Sequence, residues 1–121
     1  MTTADTLAQR YIDAWNEADA DRRRDLIART WTEDARYVDP MAAVDGHAGI
    51  DALIAGVQAR FPDFRFRLAG KVDGYADKLR FAWSLGPEGA EPVIKGTDFG
   101  VIAGNRLSVV TGFLDQVPAG A

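Results

Sequence analysis

The chain has 121 residues, 47% hydrophobic and 26% charged, with a formal net charge of −4 and no cysteine. That is the size and balance of one soluble domain spanning 1–121, and it excludes disulfides, thiolate nucleophiles and cysteine-based metal sites. The acidic balance argues against nucleic-acid and anionic-membrane partners, which reward clustered positive charge.

Taken in chain order, three helical patterns lead. Over residues 4–17, Leu7, Tyr11 and Trp15 recur every four positions and share a face, with Ala8 and Ile12 beside them. The opening "MTTADTLAQR" lacks the basic region and apolar core of a signal peptide. No apolar run approaches the roughly 20 residues that span a bilayer, so the expected location is the cytoplasm. A second helix is expected from Asp21 to Trp31, with Leu26, Ile27, Thr30 and Trp31 inward and Asp19 or Asp21 as its cap. The basic run Arg22–Arg24 lies between Asp21 and Asp25 and reads as a solvated helix start. A short apolar run ending at Asp39 follows. A third helix runs from about His47 to Arg60, where Ile50, Leu53, Ile54, Val57 and Phe61 form one stripe and Pro62 ends it.

From residue 64 the period changes to two. "FRFRL", "KLRFAWSL", "PVIKGTDFGVI" and "NRLSVVTGFLDQV" are separated by turn chemistry at Ala76-Asp77, Gly86–Gly89 and Gly104-Asn105. Arg65, Arg67 and Arg80 alternate on one strand face, as a solvated surface or a dimer contact. Helices followed by an antiparallel meander make an α+β domain, its helices packed on one face of a curved sheet. Such a sheet can close around the helices as a cone with an apolar mouth.

Elimination narrows the chemistry. With His47 the only histidine, no histidine-rich metal site can be built. Ser84 and Ser108 lie in strand patterns without a nearby histidine or a Gly-x-Ser-x-Gly elbow. No glycine-rich loop matches a dinucleotide or phosphate-binding pattern. Carboxylate, tyrosine and arginine chemistry is left, which means proton transfer. Three polar groups fall where the interior is expected. Tyr11 is on the buried stripe of the first helix, Asp39 ends a short apolar run within "DARYVDPM", and Asp98 shares a strand face with Ile94, Gly96, Gly100 and Ile102. On an apolar face the charged form of a carboxylate is disfavoured, which moves it toward a usable base or a neutral donor. Each also has a plainer reading. Tyr11 is then a core aromatic with its hydroxyl satisfied, and Asp39 before Pro40 a turn former. Asp98 would face solvent, or pair with Lys95 or Arg106, in the opposite register. His47, near a helix start, would hydrogen-bond locally.

These segments resemble the NTF2-like superfamily, and within it the SnoaL-like and ketosteroid-isomerase-like proteins. The likeness is carried by "RYIDAWN", "WTEDARYVDP", "GHAGIDALI", "GTDFGVI" and "VVTGFLDQ" over nearly the whole chain. It implies an NTF2-like cone of three N-terminal helices on a curved antiparallel sheet, a homodimer through the late strands, and neither metal nor organic cofactor. The superfamily includes isomerases, cyclases, dehydratases, epoxide hydrolases and non-enzymes, so its motifs carry the fold more than the reaction. Against ketosteroid isomerase, Tyr11 falls where that family carries its oxyanion-hole tyrosine and Asp39 where it carries the general base. Asp98 falls on its protonated acid, which donates to the same oxyanion. SnoaL-like cyclases use a His and an Asp on sheet positions. His47 lies in a pre-helix loop and does not match that His, while Asp115 in "FLDQ" matches the late-strand Asp. Epoxide-hydrolysing members need an arginine between two pocket carboxylates, and no arginine here is clearly pocket-facing. The resemblance thus implies a proton-transfer enzyme, an isomerase or cyclase, acting on a small hydrophobic carbonyl compound. Trp15, Trp31 and Trp83 read as core on their own; with Met41, Phe61 and Phe113 they are expected to wall the substrate pocket. The alternative is a ligand-binding or dimerisation module without catalysis.

Overall fold

The strands that hold the site come from opposite ends of the chain. A computed structural model describes residues 3–118. Met1, Thr2 and the last three residues, part of the one-domain and signal-peptide readings, lie outside the described residues. Helix α1 (Thr3–Asn16) buries Leu7, Ala8, Tyr11, Ile12 and Trp15, the face its spacing predicts. Helix α2 (Ala20–Thr30) is N-capped by Asp19, whose side chain accepts from the Arg22 N–H at 2.9 Å. It stops short of the expected boundary, because Trp31 is already extended (φ −114°, ψ 149°). There its fully buried ring opens strand β1 (Trp31–Asp39).

A four-residue strand that the sequence did not reveal, β2 (Ala42–Asp45), folds back on β1, and α3 (Gly46–Arg60) follows at once. Gly46 makes this turn with φ +72°, a conformation that strains any residue with a Cβ. Strands β3 (Phe64–Tyr75), β4 (Lys78–Pro87), β5 (Ile94–Ala103) and β6 (Arg106–Gln116) form the expected antiparallel meander. The expected antiparallel sheet is present with one exception. The sheet order is β2-β1-β6-β5-β4-β3, and β1 runs parallel to β6. The connection from β1 back to β6 spans α3 and the whole meander, so nothing forces a hairpin there. The sheet is curved and unclosed, with the helices on its concave side.

Two polar devices fix the helices. Asn16, the last residue of α1, donates through Nδ2 to the Phe66 carbonyl (2.9 Å) and accepts from the Phe66 N–H (2.8 Å), pairing the helix end with β3 as a strand would. Arg23 corrects the solvated reading of the basic run. It is 6% exposed, and its Nε meets Asp51 of α3 at 2.6 Å. Its Nη1 donates to the Glu17 carbonyl (3.1 Å) and to Gln58 (3.3 Å). One helical turn places Arg23 on the α3 side, where burial requires a paired charge. Fully buried Leu7, Ile27, Trp31, Ile50, Ile54 and Leu107 fill the space between the layers, each worth roughly 1.5–3 kcal/mol in transfer free energy. No helix among the described residues is long and apolar enough to cross a membrane.

Candidate active site

A cavity of about 440 Å³ opens between the helices and the concave face of the sheet. Its walls are largely apolar, from Leu53, Val57 and Phe61 of α3, Phe66 of β3, Leu85 of β4, Ile94 of β5 and Leu114 of β6. Tyr11, Asp39 and Asp98 all line it, as do Trp15, Met41, Phe61 and Trp83. Two expected wall residues do not. Trp31 is fully buried behind the cavity, its ring 5.2 Å from that of Tyr11, because it starts β1 instead of ending α2. Phe113 is 53% exposed on the outer face and meets Phe99 edge-to-face at 5.7 Å. Along β6, alternation sends Gly112 and Leu114 inward and Phe113 outward.

The deep end is polar and buried. Asp98 projects inward from β5 and is 1% exposed. Its Oδ2 accepts from the Tyr11 hydroxyl and its Oδ1 from Trp83 Nε1 at 3.0 Å. Burial pushes the Asp98 carboxyl up to about 6, against the pull of the two donors, which favour the anion. The same burial, with the charge of Asp98 added, holds the Tyr11 hydroxyl well above the usual phenol range. Tyr11 is therefore a neutral donor at any physiological pH.

Nearer the mouth, Asp39 ends β1 half-buried. Its Oδ1 accepts from the N–H groups of Met41 and Ala42, both at 2.8 Å, so it is a turn former as well as a cavity residue. Its Oδ2 accepts from the Tyr37 hydroxyl at 2.6 Å. Oδ1 thus has both lone pairs committed to backbone, and Oδ2 keeps one lone pair free. Burial first, then the charge of Asp98 and the bond to Asp39, drives the Tyr37 hydroxyl far above its usual range.

Three residues escaped sequence reasoning. Tyr37 lies two positions before Asp39, hence on the same strand face, and that spacing was the available signal. Gly112 pairs with Asp98 across the β5–β6 ladder. A Cβ there would lie 2.9 Å from Asp98 Oδ1, 3.3 Å from Asp39 Cβ and 3.5 Å from the Tyr37 hydroxyl. The missing side chain is the gap that both carboxyl groups share. Gly96 leaves room for the Trp83 indole, whose ring a Cβ would overlap, and so lets Nε1 reach Asp98. His47 and Asp115 are elsewhere: His47 Nε2 is 2.9 Å from the Trp31 carbonyl oxygen, and exposed Asp115 accepts from Thr97 Oγ1 at 2.7 Å. Among the described residues no cluster of three or more His, Asp or Glu side chains is placed to hold a metal ion.

The family model for the SnoaL-like domain matches residues 8–110. The chain belongs to the SnoaL-like family. A SnoaL-like protein of known structure from Agrobacterium tumefaciens, provisionally named an isomerase, is 43% identical, with 95% of this chain and 99% of that one covered at a TM-score of 0.90. Two more distant structures show the shared fold alone. One, from Kribbella flavida, is provisionally named a ketosteroid isomerase (19% identity, 98% and 82% coverage, TM-score 0.71). The other, from Jannaschia sp. CCS1, is provisionally named a SnoaL-like polyketide cyclase (19% identity, 93% and 85% coverage, TM-score 0.72). A search of curated proteins gives no match. In this SnoaL-like domain the NTF2-like cone is present, with three helices on a six-stranded, mostly antiparallel sheet.

Proposed function

We propose that the protein is a cofactor-independent proton-transfer enzyme of the cytoplasm, an isomerase or cyclase, acting on a small hydrophobic carbonyl compound. The observation that carries this reading is the pair of polar stations in one apolar cavity. Asp98 is held by Tyr11 and Trp83 at the buried end, and Asp39 by Tyr37 and two amides nearer the mouth. Asp39 Oδ2 is the base, since it is the oxygen with a lone pair to spare. It removes a proton alpha to the carbonyl, the C–H electrons form the enolate double bond, and the carbonyl oxygen takes the charge. A ligand that fills the cavity displaces water and strengthens the retention of a proton on Asp98. Protonated at Oδ2, Asp98 donates to the Tyr11 oxygen and releases the Tyr11 O–H to bind the enolate oxygen. Donors preorganised in this way are commonly worth several kcal/mol in the transition state. Return of the proton from Asp39 to a different carbon completes an isomerisation; attack of the enolate carbon on a second carbonyl, whose new alkoxide takes the proton back from Asp39, completes a cyclisation.

The test uses a β,γ-unsaturated ketone, with conjugation followed by absorbance and deuterium uptake from D2O by NMR. Asp39→Asn is expected to abolish turnover, and Tyr11→Phe and Asp98→Asn to lower it on the order of 10²-fold each. Full activity in Asp39→Asn removes the base assignment. One observation favours a second reading: both Asp98 oxygens accept hydrogen bonds, which also suits an anion. Asp98 would then be the base and Asp39 the orienting group, and Asp98→Asn, not Asp39→Asn, would be the dead variant. A binding module without catalysis would take up no deuterium from either station.

A further inference from the structure

One charged group in the cavity wall takes no part in this scheme. Arg60 ends α3 at the mouth and, among the described residues, is the only basic side chain lining the cavity. Its guanidinium stands 5.6 Å over the Phe61 ring. Most arginines of the helical layer are committed: Arg22, Arg23, Arg24 and Arg29 to carboxylates, and Arg10 to a backbone carbonyl. No carboxylate among the described residues, Asp39 and Asp98 included, forms an ion pair with Arg60. This also bears on epoxide hydrolysis. An arginine does face the cavity, but it stands at the rim and not clamped between the two acids. A position in the last turn of a helix suits a cation on its own, yet it does not call for one in the wall of an apolar cavity.

We propose that Arg60 selects carbonyl substrates that also carry an anionic group, a carboxylate, which it holds at the mouth while the apolar body lies inside and the carbonyl oxygen reaches Tyr11. The planar guanidinium is built for such a contact, with parallel N–H donors that match two carboxylate oxygens. The Phe61 ring beneath it holds the guanidinium at the rim. The inference rests on the proton-transfer reading for the position of the carbonyl, not for the carboxylate contact. A neutral ketone of the same shape would fill the cavity and leave Arg60 in water.

The test compares 6-carboxy-1-tetralone with its methyl ester. Affinity is read from the fluorescence of Trp15 and Trp83 in the cavity wall, for the wild-type protein, Arg60→Gln and Arg60→Lys. The wild type is expected to bind the acid about fivefold more tightly than the ester, the scale of a partly exposed charge pair. High salt should weaken that preference. Arg60→Gln should lose it while binding the ester as before, and Arg60→Lys should keep part of it. Equal affinity for the two probes in the wild type, a preference that survives Arg60→Gln, or no binding of either probe overturns the proposal. Deuterium uptake at C2 of the ester separates the two readings. Uptake without an Arg60-dependent preference leaves proton transfer standing and ends the carboxylate proposal; the preference without uptake does the reverse.

Discussion

Asp98 illustrates how a single buried group ties chemistry to stability. Its carboxyl titrates near 3.8 when unperturbed and at about 6 in the folded chain, so between those values the native state binds more protons than the unfolded one. Stability must therefore fall as pH rises through that window, by about 3 kcal/mol in total from this group. The expected result is that the stability of the wild type relative to Asp98→Asn declines from pH 4 to pH 7 in urea titrations. A difference that stays flat would mean that the carboxyl is not raised in the folded chain. The inward faces of Tyr11 and Asp98 were legible in the sequence, because a helix spacing of four and a strand spacing of two determine direction. Asp39 was legible only as an alternative between turn and cavity, and it is both. Gly112 and Gly96 were not legible: a glycine declares what it makes room for only once the strand register sets its neighbours.

At the level of elements, the sequence failed where a contact depends on another element. The stripe of α3 and the turns of the meander are local and came through. Strand β2 is too short to show a period, and Arg23 looked like its exposed neighbours until α3 was placed against α2. That arginine joins the α1–α2 link to α3, and Gln58 extends the junction by donating to the carbonyls of Trp15 and Glu17, both at 3.0 Å. Trp15 is a cavity wall, so the junction also sets the width of the site. Replacing Arg23 with Ala leaves the Asp51 carboxylate and the Gln58 Oε1 without their donor. The expected loss is about 3 kcal/mol, measured as a shift of the denaturation midpoint with an unchanged slope. Loss of under about 0.5 kcal/mol would reduce the junction to a surface ion pair.

For the whole molecule, the outer face of the sheet carries one exposed apolar patch. Phe99, Val109 and Phe113 are 43%, 39% and 53% exposed on adjacent strands. We propose that this face packs against that of a second copy to form a homodimer. Phe113 then belongs to an interface and not to the pocket for which its aromatic character first recommended it. Sedimentation should report a dimer for the wild type and a monomer for Phe113→Glu, with the fold of each subunit retained. A wild-type monomer at micromolar concentration would remove the proposal.

The parallel seam between β1 and β6 has a consequence for how the protein comes into being. Asp39 belongs to a strand completed within the first third of the chain. Its link to Asp98 runs through β6, which is made last among the described strands. Pairing partners as distant as Val38 and Thr111 close a long loop, slow to form by chance. During synthesis the helices, β1 and much of the meander can emerge and collapse with the two acids still strangers to each other. Only when Gly112 has taken its place in β6 does a common neighbour exist for them, so the proposed site is assembled in one step, with the last of these strands.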